Sequence, residues 1–166
     1  MKPRTPTKRK PVKLTQTGES ADKVEVALTS LKAIRSKAQG PGEVSGPALA
    51  VTVSVANGTG SAFDLANAVV TLTDAAGDPG AGMAGKPSSP LPESVAPGQK
   101  ATGVYVFNVA KGRRDPVIVD VSVNPETPIV VFRGNAPRRP IRRRAFRPSG
   151  AQTSPRSTMS RHRAEK

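Results

Sequence analysis

Short stretches of alternating apolar and polar residues recur along the middle of the chain, with the period of two that is typical of half-buried β-strands. The clearest is 47–56, in which Leu49, Val51, Val53 and Val55 share one face. Turn signals rich in Gly, Pro, Asn and Asp separate the stretches. The pattern predicts six strands, at 23–34, 47–56, 66–73, 100–109, 116–124 and 128–132.

The stretch 100–109 is predicted to be the central strand around which the others pack. Tyr105 and Phe107 fall on one face, and Val104 and Val106 fall on the other. Apolar residues on both faces predict an interior strand of a sheet. A short helix over 27–38 is the alternative to the first strand. The predicted core is Leu49, Val51, Val53, Val70, Leu72, Tyr105, Phe107, Val119 and Val121.

The strands and their spacing predict an all-β fold, an immunoglobulin-like antiparallel β-sandwich of about seven strands with disordered basic tails. The net charge of +14 is distributed unevenly over three parts of the chain. Residues 1–20 have six Lys or Arg and one Glu, residues 21–136 have ten of each sign, and residues 137–166 have ten Lys or Arg and one Glu. We therefore expect a disordered basic tail over 1–20, a neutral sandwich over 21–136 and a disordered Arg/Pro/Ser-rich tail over 137–166.

Catalytic groups are scarce. The chain has no Cys, and its single His is His162, close to the C-terminus. The carboxylates of the sandwich are scattered over turns and outward-facing strand positions, whereas acid–base catalysis needs a held pair with tuned pKa values. We predict a protein that is not an enzyme and that uses no cofactor and no metal.

Three sequence motifs have simpler structural explanations. Gly80 to Lys86 matches most of a phosphate-binding loop, but three prolines follow where that loop needs a helix, which favours a flexible loop. Asp64, Asp74 and Asp78 suggest calcium, but their spacing fits no known binding loop and favours turns. Asn57 begins a glycosylation signal that a turn explains equally well.

The arginine-rich C-terminal segment is the strongest chemical signal. Arginine pairs with phosphate through two hydrogen bonds, and a flexible basic chain binds polyanions by counterion release. Three interpretations stay open: a nonspecific binder of nucleic acid or anionic lipid, a solvated tail with no partner, and a product of out-of-frame translation. The candidate polyanion-binding residues are Arg138, Arg139, Arg142, Arg143, Arg144, Arg147, Lys8, Arg9 and Lys10.

Several segments resemble the extracytoplasmic immunoglobulin-like domains of actinobacteria. The similarity covers roughly residues 23–136, and the segments that carry it are 43–59, 69–72, 95–98, 101–107 and 130–134. The resemblance implies a secreted or membrane-anchored module that acts in surface interactions, and it brings no catalytic or binding residues with it. The chain as written shows neither an apolar export signal nor a run of ~20 apolar residues that would span a membrane, which predicts a cytoplasmic location. The resemblance and the missing signal therefore leave the location open between outside the cytoplasm and inside it.

The sequence therefore predicts a non-enzymatic immunoglobulin-like binding or structural module of a bacterial cell-surface or secreted type. Its partner would be an unidentified protein or a cell-surface component. Polyanion binding through the basic tails is the alternative function.

Overall fold

Two β-sheets pack face to face in the computed structural model, which describes residues 6–137. The strands of this part of the chain are β1 (Val12–Lys13), β2 (Thr17–Ala21), β3 (Val24–Ser36), β4 (Gly46–Asn57), β5 (Phe63–Asp64), β6 (Val69–Thr73), β7 (Ala81–Met83), β8 (Ser94–Val95), β9 (Lys100–Asn108), β10 (Val117–Ser122) and β11 (Val130–Gly134). A single 3₁₀ turn, Lys111–Arg113, is the one helical element among them.

One sheet has five strands in the order β2-β3-β4-β9-β7, and the other has four in the order β1-β11-β10-β6. All neighbouring strands within these sheets are antiparallel except β1, which runs parallel to β11. Strands β5 and β8 form a small separate pair. The predicted all-β sandwich is confirmed, and each of the six predicted strands corresponds to an observed one.

Strand β3 keeps its apolar residues on the core side by means of a β-bulge. Its register against β4 shifts between Leu28 and Ser30, so that one residue of β3 has no partner. Without that extra residue, Leu31 and Ala33 would face solvent, because a one-residue slip turns every side chain to the opposite face. The helical alternative over 27–38 is wrong.

The core lies between the sheets and is dominated by valine. Eight of the nine predicted core residues are buried, namely Leu49, Val51, Val53, Val70, Leu72, Phe107, Val119 and Val121. Tyr105 differs because it is only partly buried, and its hydroxyl accepts a hydrogen bond from the Leu91 amide at 3.1 Å. The prediction that β9 is an interior strand is confirmed, since it lies between β4 and β7.

The N-terminal segment corrects the predicted domain boundary. Residues 7–20 belong to the sandwich: β1 pairs with β11, and β2 pairs with β3. Ile129 donates its amide to the Thr7 carbonyl, and the Ser20 hydroxyl donates to Thr127 and Pro128. The prediction of a disordered tail over 1–20 is wrong for these residues, because an edge strand is held by backbone hydrogen bonds and needs few apolar side chains.

The chain between β6 and β9 is also more regular than expected. The sequence favours a long flexible loop there, but Ala81–Met83 forms β7 along the edge of β9. Ser89 then continues the pairing through two hydrogen bonds with Val104. No helix follows the glycines, so the phosphate-loop interpretation has no structural basis.

Gly18 allows the two sheets to close at the β1–β2 edge. A Cβ atom at this position would lie 2.3 Å from Cγ1 of Val130, which belongs to the opposite sheet. Val130 is a β-branched side chain with little rotational freedom, and only 2% of it is exposed. Any larger residue at position 18 must therefore push the sheets apart.

We predict that Gly18→Ala lowers the free energy of unfolding by about 1–3 kcal/mol, the usual cost of overpacking a core. Gly82→Ala is the matched control, because a Cβ atom there meets nothing within 4 Å. Urea denaturation of the two variants checks this. A Gly18→Ala protein as stable as the control would show that the N-terminal strands do not pack as described.

Candidate functional site

The candidate polyanion-binding residues are divided between two regions. Arg138, Arg139, Arg142, Arg143, Arg144 and Arg147 lie outside the described residues. Lys8, Arg9 and Lys10 are exposed on the N-terminal segment that runs beside β11. Because β1 and β11 are parallel, these three residues lie near the start of β11, whereas the chain leaves towards Arg138 beyond its end.

The three N-terminal basic residues have different surroundings. The Lys8 ammonium is 2.5 Å from Oδ2 of Asp120, so it forms an ion pair within the fold although most of its side chain is exposed. Oδ1 of Asp120 is buried and has no hydrogen-bond partner among the described residues. Arg9 and Lys10 instead line an open groove of about 280 Å³ between the edges of the two sheets. The other residues of that groove are Val12, Gly18, Glu19 and Val130.

The C-terminal segment leaves from one end of the sandwich, here called the exit end. The exit end comprises the loops 37–45, 74–80 and 109–116 together with residues 135–137. A buried arginine, Arg114, holds the departing chain there. Its guanidinium donates to the carbonyls of Val109 and Pro137, both at 2.9 Å, and to that of Ala48 at 3.4 Å. The Ala136 amide donates in turn to the Arg114 carbonyl.

Only 1% of Arg114 is exposed, and burial lowers the pKa of its guanidinium. A buried charge is tolerated when its donors are satisfied, and backbone carbonyls serve here. The sequence does not reveal this role. Arg113 and Arg114 are adjacent basic residues in a predicted loop, and the pattern of apolar residues does not distinguish them.

Arg114→Met should destabilise the protein by roughly 1–3 kcal/mol or more, because it leaves buried carbonyls without donors. Arg113→Met is the matched control. Arg113 is about half exposed and makes only surface ion pairs, which contribute under about 1 kcal/mol. Thermal denaturation gives the stabilities, and hydrogen exchange at the Ala136 amide reports release of the exit chain. Equal losses in the two variants would contradict the role of Arg114.

The acidic residues considered for calcium make internal contacts. Arg113 is 2.7 Å from Asp78 and 3.5 Å from Asp74. Burial alone would raise the pKa of Asp74, but hydrogen bonds from the Asp78 and Ala76 amides and from Arg113 lower it overall. Asp64 accepts from the Ala66 amide. Among residues 6–137, no group of three or more His, Cys, Asp or Glu could hold a metal ion.

A second apolar cluster lies on the outer face of the five-stranded sheet. It consists of Ala48, Ala50, Met83 and Val106, all buried although they face away from the main core. The loop 37–45 folds back over this face, since the Val44 carbonyl accepts a hydrogen bond from the Asn108 side chain. This hydrogen bond ties the loop to β9.

Glu43 holds the loop 37–45 in place through hydrogen bonds. Its carboxylate accepts hydrogen bonds from the Ala84 amide at 2.7 Å, the Gln39 amide at 2.7 Å and the Gly40 amide at 3.0 Å. These three donors lower the pKa of Glu43 below its ordinary value. Because the pKa of Glu43 is lowered in the folded protein, its ionised carboxylate stabilises the closed loop at pH values above the unfolded-state pKa. This stabilisation is lost as the pH falls through the folded-state pKa.

We therefore expect the Ala84 and Gln39 amide resonances to titrate together, with a midpoint below the ordinary carboxyl value of 4.5. Two-dimensional NMR between neutral and acidic pH measures this directly. In Glu43→Gln the same resonances should not show this transition. A midpoint at or above 4.5 would contradict the hydrogen bonds described.

Asn57 is a structural residue. Only 1% of it is exposed, and its side-chain amide donates to the carbonyls of Ser61 and Val95 at 2.8 and 3.0 Å. Its carbonyl oxygen accepts from the amide and the hydroxyl of Thr59. Both amide hydrogens are therefore used within the fold, which supports the turn interpretation over the glycosylation signal.

Comparisons with known proteins add no relative: no family model, no curated protein and no solved structure matches this chain. Within residues 6–137, none of the helical structure has the length and apolar character needed to span a membrane.

Proposed function

We propose that this protein is a non-enzymatic binding module built on an immunoglobulin-like sandwich, and that it binds polyanions through its basic segments. The observation that carries the proposal is the anchoring of the C-terminal segment at the exit end. Arg114 holds Pro137, and Arg138 is the next residue in the chain. A stable sandwich thus presents a segment with ten Lys or Arg and one Glu over residues 138–166.

The immunoglobulin-like assignment is supported by strand order. The seven strands β3, β4, β6, β7, β9, β10 and β11 fall into a sheet β3-β4-β9-β7 and a sheet β6-β10-β11. In chain order, the first, second, fifth and fourth strands face the third, sixth and seventh. Immunoglobulin constant-type domains have this arrangement. Strands β1 and β2 are additions at one edge.

The absence of catalytic function is part of the same proposal. The carboxylates that the sequence placed in turns are used in structural contacts: Glu43 closes a loop, and Asp74 and Asp78 pair with Arg113. These contacts occupy the groups that acid–base chemistry would otherwise need free.

A second candidate function is recognition of a protein or cell-surface partner by the sandwich itself. The strand order favours it, because related sandwiches bind through loops clustered at their ends. The resemblance to extracytoplasmic domains supports a secreted or cell-surface location for such a module. In this case the basic segments would be dispensable for binding.

The net charge of the described part bears on the choice between these two functions, because a positively charged sandwich could itself contribute to polyanion binding. With the N-terminal strands included, residues 6–137 have fourteen Lys or Arg and eleven Asp or Glu, hence a net charge of +3. Residues 21–136 are neutral, so this excess comes from the N-terminal strands and the segment before them. Most of the excess charge still lies beyond Pro137.

We expect the full chain to bind duplex DNA without sequence preference. The logarithm of its affinity should fall with the logarithm of salt concentration by roughly 0.9 per phosphate contact. A chain of residues 1–137 should lose most of that slope. Fluorescence anisotropy across roughly 50–200 mM salt measures both. No binding by the full chain to DNA or to anionic vesicles would overturn the polyanion function and leave partner recognition by the sandwich.

A further inference from the structure

We propose that the sandwich itself has a line of nucleic-acid contacts along its β1–β11 edge, formed by Arg9, Lys10, Lys13 and Arg133. We call these four residues the basic edge. The inference rests on the proposed polyanion function and extends it, because it assigns phosphate contacts to the folded domain as well as to the C-terminal segment.

Lys13 and Arg133 are the centre of this line. They are register partners in the parallel β1–β11 pair, so they point to the same face, and neighbouring strands are only about 4.8 Å apart. The preceding pair, Val12 and Phe132, packs into the core, which directs Lys13 and Arg133 outward. Both residues are exposed.

No acidic residue within the described part forms an ion pair with either of them. On the neighbouring strands, Arg133 pairs with Ile118 of β10, and Ile118 pairs with Thr73 of β6; both of these residues are uncharged. Like charges placed directly opposite each other destabilise a sheet unless a counter-charge is present. Two basic residues of the described part, Lys8 and Arg113, do have such a counter-charge, Lys8 in Asp120 and Arg113 in Asp74 and Asp78. The pair is therefore suited to an external anion.

The basic edge ends close in sequence to the anchored Pro137. Arg9 and Lys10 lie upstream on the same N-terminal segment, and Lys13 follows within four residues of Arg9, a reach of about 13 Å in extended chain. From Arg133 the chain needs only four further residues to reach Pro137, which Arg114 holds.

The edge suits nucleic acid better than a membrane surface. Peripheral membrane binding combines basic residues with apolar side chains that insert between lipids. The exposed large apolar residues of the described part are Val44 and Val69. They lie on the loop 37–45 and on β6, away from the basic edge. The apolar residues beside Arg9 and Lys10 in the groove are Val12, which is partly buried, and Val130, which is buried. A line of cations with no exposed large apolar residue beside it in the described part matches the phosphates of a duplex strand.

The test compares two double variants of the full chain. Lys13→Ala with Arg133→Ala removes the centre of the edge, and Lys32→Ala with Lys100→Ala removes the same charge from exposed positions of the other sheet. Salt-dependent anisotropy with a duplex DNA probe should give a slope smaller by about 1.8 for the first variant, two contacts of 0.9 each. The second variant should keep the wild-type slope.

Equal slopes for the two variants, with the wild type still binding DNA, would overturn the basic edge and leave the proposed function intact. Failure of the wild type to bind DNA would overturn both. Binding to phosphatidylserine vesicles but not to duplex DNA would replace the nucleic acid with a membrane and so also overturn the inference. If the first variant does not fold, NMR of the wild type with DNA decides: shifts at Lys13 and Arg133 that exceed those at Lys32 and Lys100 support the edge, and equal shifts contradict it.

Discussion

Burial of the inner face of β4 is the interaction on which the rest of the structure depends. Leu49, Val51, Val53 and Val55 have no exposed surface, and both neighbours of this strand, β3 and β9, are in register with it along most of its length. The valines of β10, together with Val130 and Phe132 of β11, belong to the same core from the opposite sheet. Because side chains alternate with a period of two, any strand that joins this sheet must place its own apolar residues in the same layer.

That constraint explains why the sequence was informative about the central strands. Where both faces of a strand touch the rest of the protein, as in β9, apolar residues occupy both, and this pattern identifies an interior strand in the sequence. The bulge in β3 is visible in the sequence only as a change of phase after Leu28. A change of phase alone does not distinguish a bulge from a short helix. The register against β4 decided between them.

The N-terminal strands and Arg114 were not predictable on the same basis. Strand β1 contributes a single partly buried valine to the core, and its proline and lysine neighbours are typical of a protected sheet edge as much as of a disordered tail. Arg114 is held by backbone carbonyls, and no sequence pattern records which carbonyls a fold leaves without partners. The N-terminal strands and Arg114, which lie nearest to the proposed site, are thus fixed by contacts between residues distant in sequence. The core strands, in contrast, can be predicted from the local alternation of apolar and polar residues.

The parallel pairing of β1 with β11 has a mechanical consequence. The chain enters at the start of this pair and leaves beyond its other end, so tension between the two ends of the domain acts along the strands. Hydrogen bonds loaded in this direction share the force and must yield together, whereas bonds loaded across a hairpin yield one at a time. If both basic segments hold one extended polymer, the strain falls on the part of the sandwich that resists shear.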